Sequence, residues 1–327
     1  MQGIDYDVFY RESLPILESP LNSEQYDLFV SAYNKSERVT TVFEKINSKD
    51  KCWVIHPEYQ FDTKTKSSIK GNKIELHHCG NELAQVNQTL EALNIEDLNK
   101  IKICIDCTGF TRSFLICLIV KLGSLKIRSL DVIFSEPISY KDKDDTSFSV
   151  KTGDVREIFG CAKEADLQHP ESLLISIGYD QQQIAHVVNH KESTTPVPMY
   201  AFPSLQADMF QQSAYRVSGI DYINSESNKS SEWLSNRLFA PANDPFSTAK
   251  KISEYVKEAT KRNPVPNIYL STLSTKAQAV GFAYYWWLEG RHQENVISIV
   301  APECIAYNSD TTIGLSKVWR FTLEMSF

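Results

Sequence analysis

Three polar clusters stand where an apolar run gives way to helix-type sequence, and they carry the most usable chemistry in this chain. They are Asp106-Cys107-Thr108-Gly109-Phe110-Thr111-Arg112, Gly178-Tyr179-Asp180-Gln181 and Ser271-Thr272-Leu273-Ser274-Thr275-Lys276. A helix N-terminus offers unpaired N–H groups and a partial positive charge, which suit a phosphate or carboxylate. Arg112 adds a two-pronged donor, Lys276 a point charge, and Gly109 lets main chain approach a ligand. Thr108, Ser274 and Thr275 supply hydroxyls, as does Ser204 in Pro203-Ser204-Leu205-Gln206 after a further apolar run. The expected ligand-binding set is therefore Asp106, Thr108, Gly109, Arg112, Asp180, Ser204, Ser274, Thr275 and Lys276. Ordinary helix capping by the same Asp, Ser and Thr residues is the competing expectation.

Other chemistries find less support. Asp106, Glu136 and Asp180 would do acid–base or metal work only if they converged in space. Cys104-Ile105-Asp106-Cys107 has the spacing of half a zinc site, and His77-His78-Cys79 clusters three donors, but no second spaced pair follows. A strand also sends Cys104 and Cys107 to opposite faces. No metal is expected, the cofactor is unknown, and no residue is assigned as catalytic. No Walker loop, dinucleotide fingerprint, nucleophile elbow or zincin helix is present.

The elements that must position these groups alternate between strand and helix. Strands are expected at Tyr26–Ser31, Cys52–His56, Lys73–Leu76, Lys102–Asp106, Leu130–Ser135, Leu173–Gly178, Pro198–Phe202, Asn267–Ser271 and Val296–Val300, with Lys317–Met325 as an edge strand. Asp244-Pro245 reads as a cap and first turn, followed by Ile252, Tyr255, Val256 and Ala259 at helical spacing. Ile184, Val187 and Val188 mark a similar one-sided helix. Phe114–Val120 is apolar all round and should be covered on both sides. Ala277–Leu288 carries Tyr284-Tyr285-Trp286-Trp287, which spans more than one helix face, and Gly290 is placed to end it. Alternation of this kind implies an α/β fold with mostly parallel sheets, whose ligands bind beyond the carboxyl ends of the strands. Tyr140–Asp154 and Asn224–Ser235 read as loops. The first would part an α/β half at 1–145 from another at 146–327, unless the two form one continuous domain. Phe134-Ser135-Glu136-Pro137 and Ala301-Pro302-Glu303 rhyme weakly between them.

With 327 residues, 42% hydrophobic and 23% charged, the chain has ample core for a globular fold. Its longest dense apolar segment, Phe114–Leu122, is about half of what a membrane span needs. Met1–Asp5 has neither the basic start nor the apolar core of a secretory signal, so a cytoplasmic protein is expected. Seven cysteines, several in apolar runs, read as reduced and buried. The net charge of −7 comes with no basic stripe, so nucleic acid is not the expected ligand.

The strand-end phrases resemble Rossmann-like ligand-sensing modules, the CARF and SAVED domains of bacterial antiviral systems. They also resemble bacterial proteins with an SEP-type turn, here Ser135-Glu136-Pro137, and a PSLQ-type turn, here Pro203–Gln206. The resemblance covers roughly residues 26–320. It implies a nucleotide-like ligand, a role in phage defence and a partner protein encoded nearby that supplies any effector or ATPase. It departs in the sparseness of basic residues that a cyclic oligonucleotide would want. The expected function is a non-catalytic regulatory or ligand-binding subunit. The alternatives are a hydrolase or transferase on a nucleotide or nucleoside through Asp106 and Asp180, and a scaffold docking through Tyr284–Trp287.

Overall fold

The computed structural model describes residues 3–78, 81–141, 149–165, 168–220 and 227–325. In chain order the strands are β1 (Arg11–Leu14), β2 (Tyr26–Ala32), β3 (Ser48–Ile55), β4 (Asn72–Glu75), β5 (Ile103–Asp106), β6 (Ser129–Glu136), β7 (Ser139–Tyr140), β8 (Ser149–Glu157), β9 (Glu171–Ile177), β10 (Thr195–Ala201), β11 (Leu238–Ala240), β12 (Asn267–Thr272), β13 (Ile297–Tyr307), β14 (Thr312–Ile313) and β15 (Lys317–Glu324). The helices are α1 (Glu37–Lys45), α2 (Thr63–Ser68), α3 (Glu82–Leu93), α4 (Arg112–Ser124), α5 (Gln181–His190), α6 (Met209–Ser218), α7 (Ser227–Ser235), α8 (Pro245–Ala259) and α9 (Lys276–Leu288). The protein is α/β, and among the described residues no helix is long and apolar enough to cross a membrane.

The chain divides into two compact units. The first comprises Phe9–Lys151 and Cys304–Phe327, the second Met1–Val8 and Thr152–Glu303. The chain thus passes between units three times, within β8 and β13 as well as after Val8.

The first unit holds a seven-stranded sheet in the order β1-β15-β6-β5-β2-β3-β4. Its five strands from β6 to β4 are mutually parallel, and β15 joins β6 antiparallel. The second unit holds a six-stranded sheet, β11-β10-β9-β12-β13-β8, parallel from β11 to β13. Counting parallel strands by their place in the chain, each sheet runs third, second, first, fourth, fifth, the Rossmann-like order. Each therefore reverses direction between its first and fourth strands: β2 and β5 in one unit, β9 and β12 in the other. Such a reversal opens a crevice at the carboxyl ends.

Local sequence explains most of the elements. Leu173, Leu174, Ile175 and Ile177 in β9 are buried on both faces, as a parallel strand between helices requires. Asp244 caps α8, its Oδ1 accepting from Phe246 N (2.9 Å) and Ser247 N (3.2 Å) before the Pro245 turn. Phe114–Val120 of α4 are buried throughout. All thirteen residues of α9 are buried, including Tyr284, Tyr285, Trp286 and Trp287, so this run is interior and not a docking surface. Six cysteines among the described residues are unbridged and five of them are buried.

Three expectations need correction. Lys317–Glu324 is not an edge strand, because β1 pairs on its far side. Ser149–Glu157 is a strand and Ser227–Ser235 a helix where loops were expected. The remainder of those two polar stretches, 142–148 and 224–226, lies outside the described residues, as does Cys79.

Candidate functional site

In the first unit, β2 and β5 lie in register with Ser31 opposite Asp106. Asp106 has no exposed surface. Ser31 Oγ donates to its Oδ2 (3.1 Å) and Thr108 N donates to its Oδ1 (3.0 Å). Burial pushes its carboxyl above the usual value, against these hydrogen bonds and the nearby charge of Arg38. Thr108 ties the turn sideways to β6: its Oγ1 accepts from Ser135 N (3.1 Å) and hydrogen bonds Ser135 Oγ (3.0 Å). Gly109 is required by close approach, since a Cβ there would stand 2.1 Å from the Ala32 carbonyl oxygen. Tyr59 Oη donates to the Gly109 carbonyl (2.6 Å) from below the turn. Asp106, Thr108 and Gly109 thus brace the turn that presents Thr111 and Arg112 at the head of α4. Thr111 makes no side-chain cap, and no acid occupies the first turn of α4.

The residue that sequence reasoning missed is Arg38, in the first turn of α1 after β2. One of its terminal nitrogens donates to the Ser135 carbonyl, across the crevice at the end of β6. Its Nε is buried without a partner, and among the described residues no carboxylate pairs with it. Tyr140, raised by burial, feels the positive charge of both Arg38 and Arg112 and the negative charge of Glu136. Glu136 itself accepts from Trp319 Nε1 (2.5 Å). Arg38 and Arg112, each in the first turn of its helix, thus both act on Tyr140. Asn34 Oδ1 accepts from Ser36 N (2.9 Å), and Ser36 Oγ hydrogen bonds Thr312 Oγ1 (2.8 Å). At the end of β3, His56 packs edge-on to Phe114 (4.7 Å) and Phe110 (5.7 Å). Burial alone would raise the adjacent Glu58 carboxyl, but the His56 ring 3.6 Å away and Gln85 hold it below its usual value. The clue to Arg38 was the Asn34–Arg38 segment after the first strand. Its significance depends on strand order, which a sequence does not spell.

The remaining expected residues, Asp180, Ser204, Ser274, Thr275 and Lys276, belong to the second unit, so the set divides between the units; Asp180, Ser274, Thr275 and Lys276 follow the switch-point strands β9 and β12, and Ser204 follows β10. Asp180 caps α5, accepting from Gln183 N (3.1 Å). Ser204 Oγ donates to the Gln206 carbonyl (2.7 Å) beyond β10. Ser176, at the end of β9, gathers the β12 turn: its Oγ accepts from Leu273 N (3.2 Å) and Ser274 N (3.3 Å) and donates to Thr272 Oγ1 (3.2 Å). Thr275 caps α9 through Gln278 N (3.2 Å), while its hydroxyl donates to the Ala242 carbonyl. Gly178 repeats the close approach of Gly109, with a Cβ placed 2.0 Å from the Leu273 carbonyl oxygen. Thr111-Arg112 and Thr275-Lys276 hold the same place in their units, cap and first residue of the helix after the fourth parallel strand. Lys276 is buried where Arg112 is half-buried.

Among the described residues no three His, Cys, Asp or Glu side chains are grouped as a metal site would require. The sequence matches no protein-family model and no curated protein.

Proposed function

We propose that the protein is a non-catalytic, ligand-binding subunit of a multi-component bacterial system, and that the first unit's switch point takes the phosphate of a nucleotide-like ligand. The observation that carries this reading is Arg38, a guanidinium with no carboxylate partner among the described residues and an unsatisfied Nε, bonded to the Ser135 carbonyl at the carboxyl end of a Rossmann-like sheet. An arginine with spare donors at such a crevice fits a phosphate bidentately. The role in antiviral defence, with a separately encoded partner, is supported by the resemblance of the strand-end phrases.

A hydrolase or transferase using Asp106 and Asp180 has less to recommend it. Asp106 has no exposed surface and is committed to the turn, and Asp180 is committed to capping a helix in the other unit.

Thermal unfolding of the full chain with mononucleotides, dinucleotides and cyclic oligonucleotides tests the reading. A ligand at one hundred times its Kd adds about 2.7 kcal/mol, or about 5–11 °C for a unit of this size. That shift should vanish in Arg38→Ala and shrink in Arg112→Ala, with the unliganded variants still folded. No shift with any member of the panel, or a shift that survives Arg38→Ala, refutes it.

A further inference from the structure

The second unit carries a concentration of positive charge that the switch-point reading does not use. After α9 the chain makes a single 3₁₀ turn, Gly290–His292, before entering β13. Arg291 lies over the Trp287 indole, its Cζ 3.4 Å from the ring centroid, and its Nε donates to the Trp287 carbonyl (2.6 Å). Stacking of this kind fixes the guanidinium as a plate. Its two terminal nitrogens take no partner among the described residues.

Lys163 is brought alongside by the chain that follows β8. Its backbone N donates to Ser298 Oγ (2.9 Å), and that hydroxyl donates back to the Lys163 carbonyl (3.3 Å), stitching the segment to β13. Lys163 Nζ donates to the Gln293 carbonyl (2.5 Å). Burial pulls the pKa of Lys163 and of Arg291 down, and that of His292 is lowered by burial and then by the charges of Arg291 and Lys163. Arg291 and Lys163 thus both act on the His292 ring.

Among the described residues none of the three forms an ion pair. Glu164 and Glu294, their neighbours along the chain, are exposed and paired with none of them. Glu289 is occupied by Tyr6, Ser253 and Lys257. Asn295 Nδ2, three residues beyond His292, is a buried donor without an acceptor. Lys163 and Arg291 are half-buried cations with no counter-charge among the described residues, and an anion would supply it.

We propose that Lys163, Arg291 and His292 form a binding site for a small polyvalent phosphate compound, a phosphate monoester or diphosphate. The fork of Arg291 matches a tetrahedral oxyanion, and a second cation, Lys163, with the His292 ring as a further donor, suits an anion of more than one negative charge. The chain's net charge of −7 works against a polyanionic polymer at the same place. The site lies at the strand-entry end of its sheet, opposite the carboxyl ends, and does not depend on the switch-point reading.

Titration calorimetry of the full chain with pyrophosphate, at ionic strength held constant with sodium chloride, tests the site. Saturable binding is expected, weakened at least about tenfold in Lys163→Gln and in Arg291→Gln, each electrostatic contact of this kind contributing about 1.4 kcal/mol or more. His292→Asn, at an exposed position, provides a variant whose fold is not at risk. In proton NMR the His292 ring should titrate at higher pH once pyrophosphate is bound, because the anion offsets Arg291 and Lys163. Binding retained in Arg38→Ala supports the assignment. Binding lost in Arg38→Ala but kept in Lys163→Gln places pyrophosphate at the switch point and overturns it. So does the absence of saturable binding, an unmoved His292 titration, or tighter binding of a short DNA duplex than of pyrophosphate. A negative nucleotide panel leaves this site untouched.

Discussion

Replacing Gly109 by alanine tests the geometry on which the first unit's crevice rests. The added Cβ would lie 2.1 Å from the Ala32 carbonyl oxygen and 3.0 Å from its carbon. That neighbour is main chain at the end of β2, which cannot rotate away as a side chain would, so the turn must retreat by about 1 Å. Overpacking of this kind costs about 1–3 kcal/mol, sometimes more, and a rigid backbone neighbour puts this site at the upper end. Lower unfolded-state entropy returns about 0.4–1 kcal/mol, leaving a net loss of about 2–3 kcal/mol. For a unit of this size that is a fall of about 4–12 °C in Tm. The displaced turn would also draw Thr108 from Asp106 and Ser135, so ligand binding at Arg38 should weaken with stability. Gly178→Ala should behave alike in the second unit, where the Leu273 carbonyl oxygen is 2.0 Å away. Gly219→Ala is the control, its nearest contact being the end of the Gln181 side chain at 3.2 Å. The measurement is thermal and urea unfolding of all three. If Gly109→Ala unfolds within about 0.5 kcal/mol of the parent, the ordinary range for a surface change, the turn does not lie against β2.

Asp106 carries a pH signature of definite sign. Its folded pKa is raised, so the folded state binds more protons than the unfolded one between the ordinary aspartate value near about 3.9 and the raised value. Its contribution to stability is greatest below that window and is lost as pH rises through it. Asp106→Asn should therefore gain stability relative to the parent as pH rises through that interval, measured by urea unfolding at a series of pH values; a parallel pair of curves would refute it. Asp180→Ala removes a helix cap and should cost about 1 kcal/mol while leaving nucleotide shifts at Arg38 unchanged. Loss of those shifts in the folded variant would tie Asp180 to the ligand instead. Tyr6→Phe removes the hydrogen bond to Glu289 (2.9 Å) and should cost about 1.5–3 kcal/mol, the range for a bond to a charged group. A neutral result in thermal unfolding would mean that the first residues are not anchored there.

Much of the architecture was legible because buried parallel strands are written as short apolar runs. Leu173–Ile177 and Ile103–Asp106 need no context to be found, and Asp244-Pro245 announces α8 through capping chemistry alone. What escaped depends on lateral neighbours. β11 has three residues and exists by pairing with β10, and β8 is rich in polar residues. Tyr284–Trp287 looked too broad an aromatic face to be swallowed by one helix, yet α9 is enclosed on every side. The candidate site divides in the same way. The turn at Asp106–Arg112 was visible as a strand ending in polar residues, but whether Asp106 would meet ligand or Ser31 depends on which strand lies beside it. Arg38 was passed over because a charge in a first helical turn is ordinary until the order of strands makes it face a crevice.

The pairing of β1 has a consequence for how the chain is assembled. Its ladder partner is β15, about three hundred residues later. The first sheet therefore stays incomplete throughout synthesis of the second unit, with one flank of β6 open until Lys317–Glu324 leaves the ribosome. An unpaired flank of this sort invites chaperones or intermolecular pairing. No contiguous fragment covers the first unit alone, so truncations at the middle of the chain would yield neither half intact.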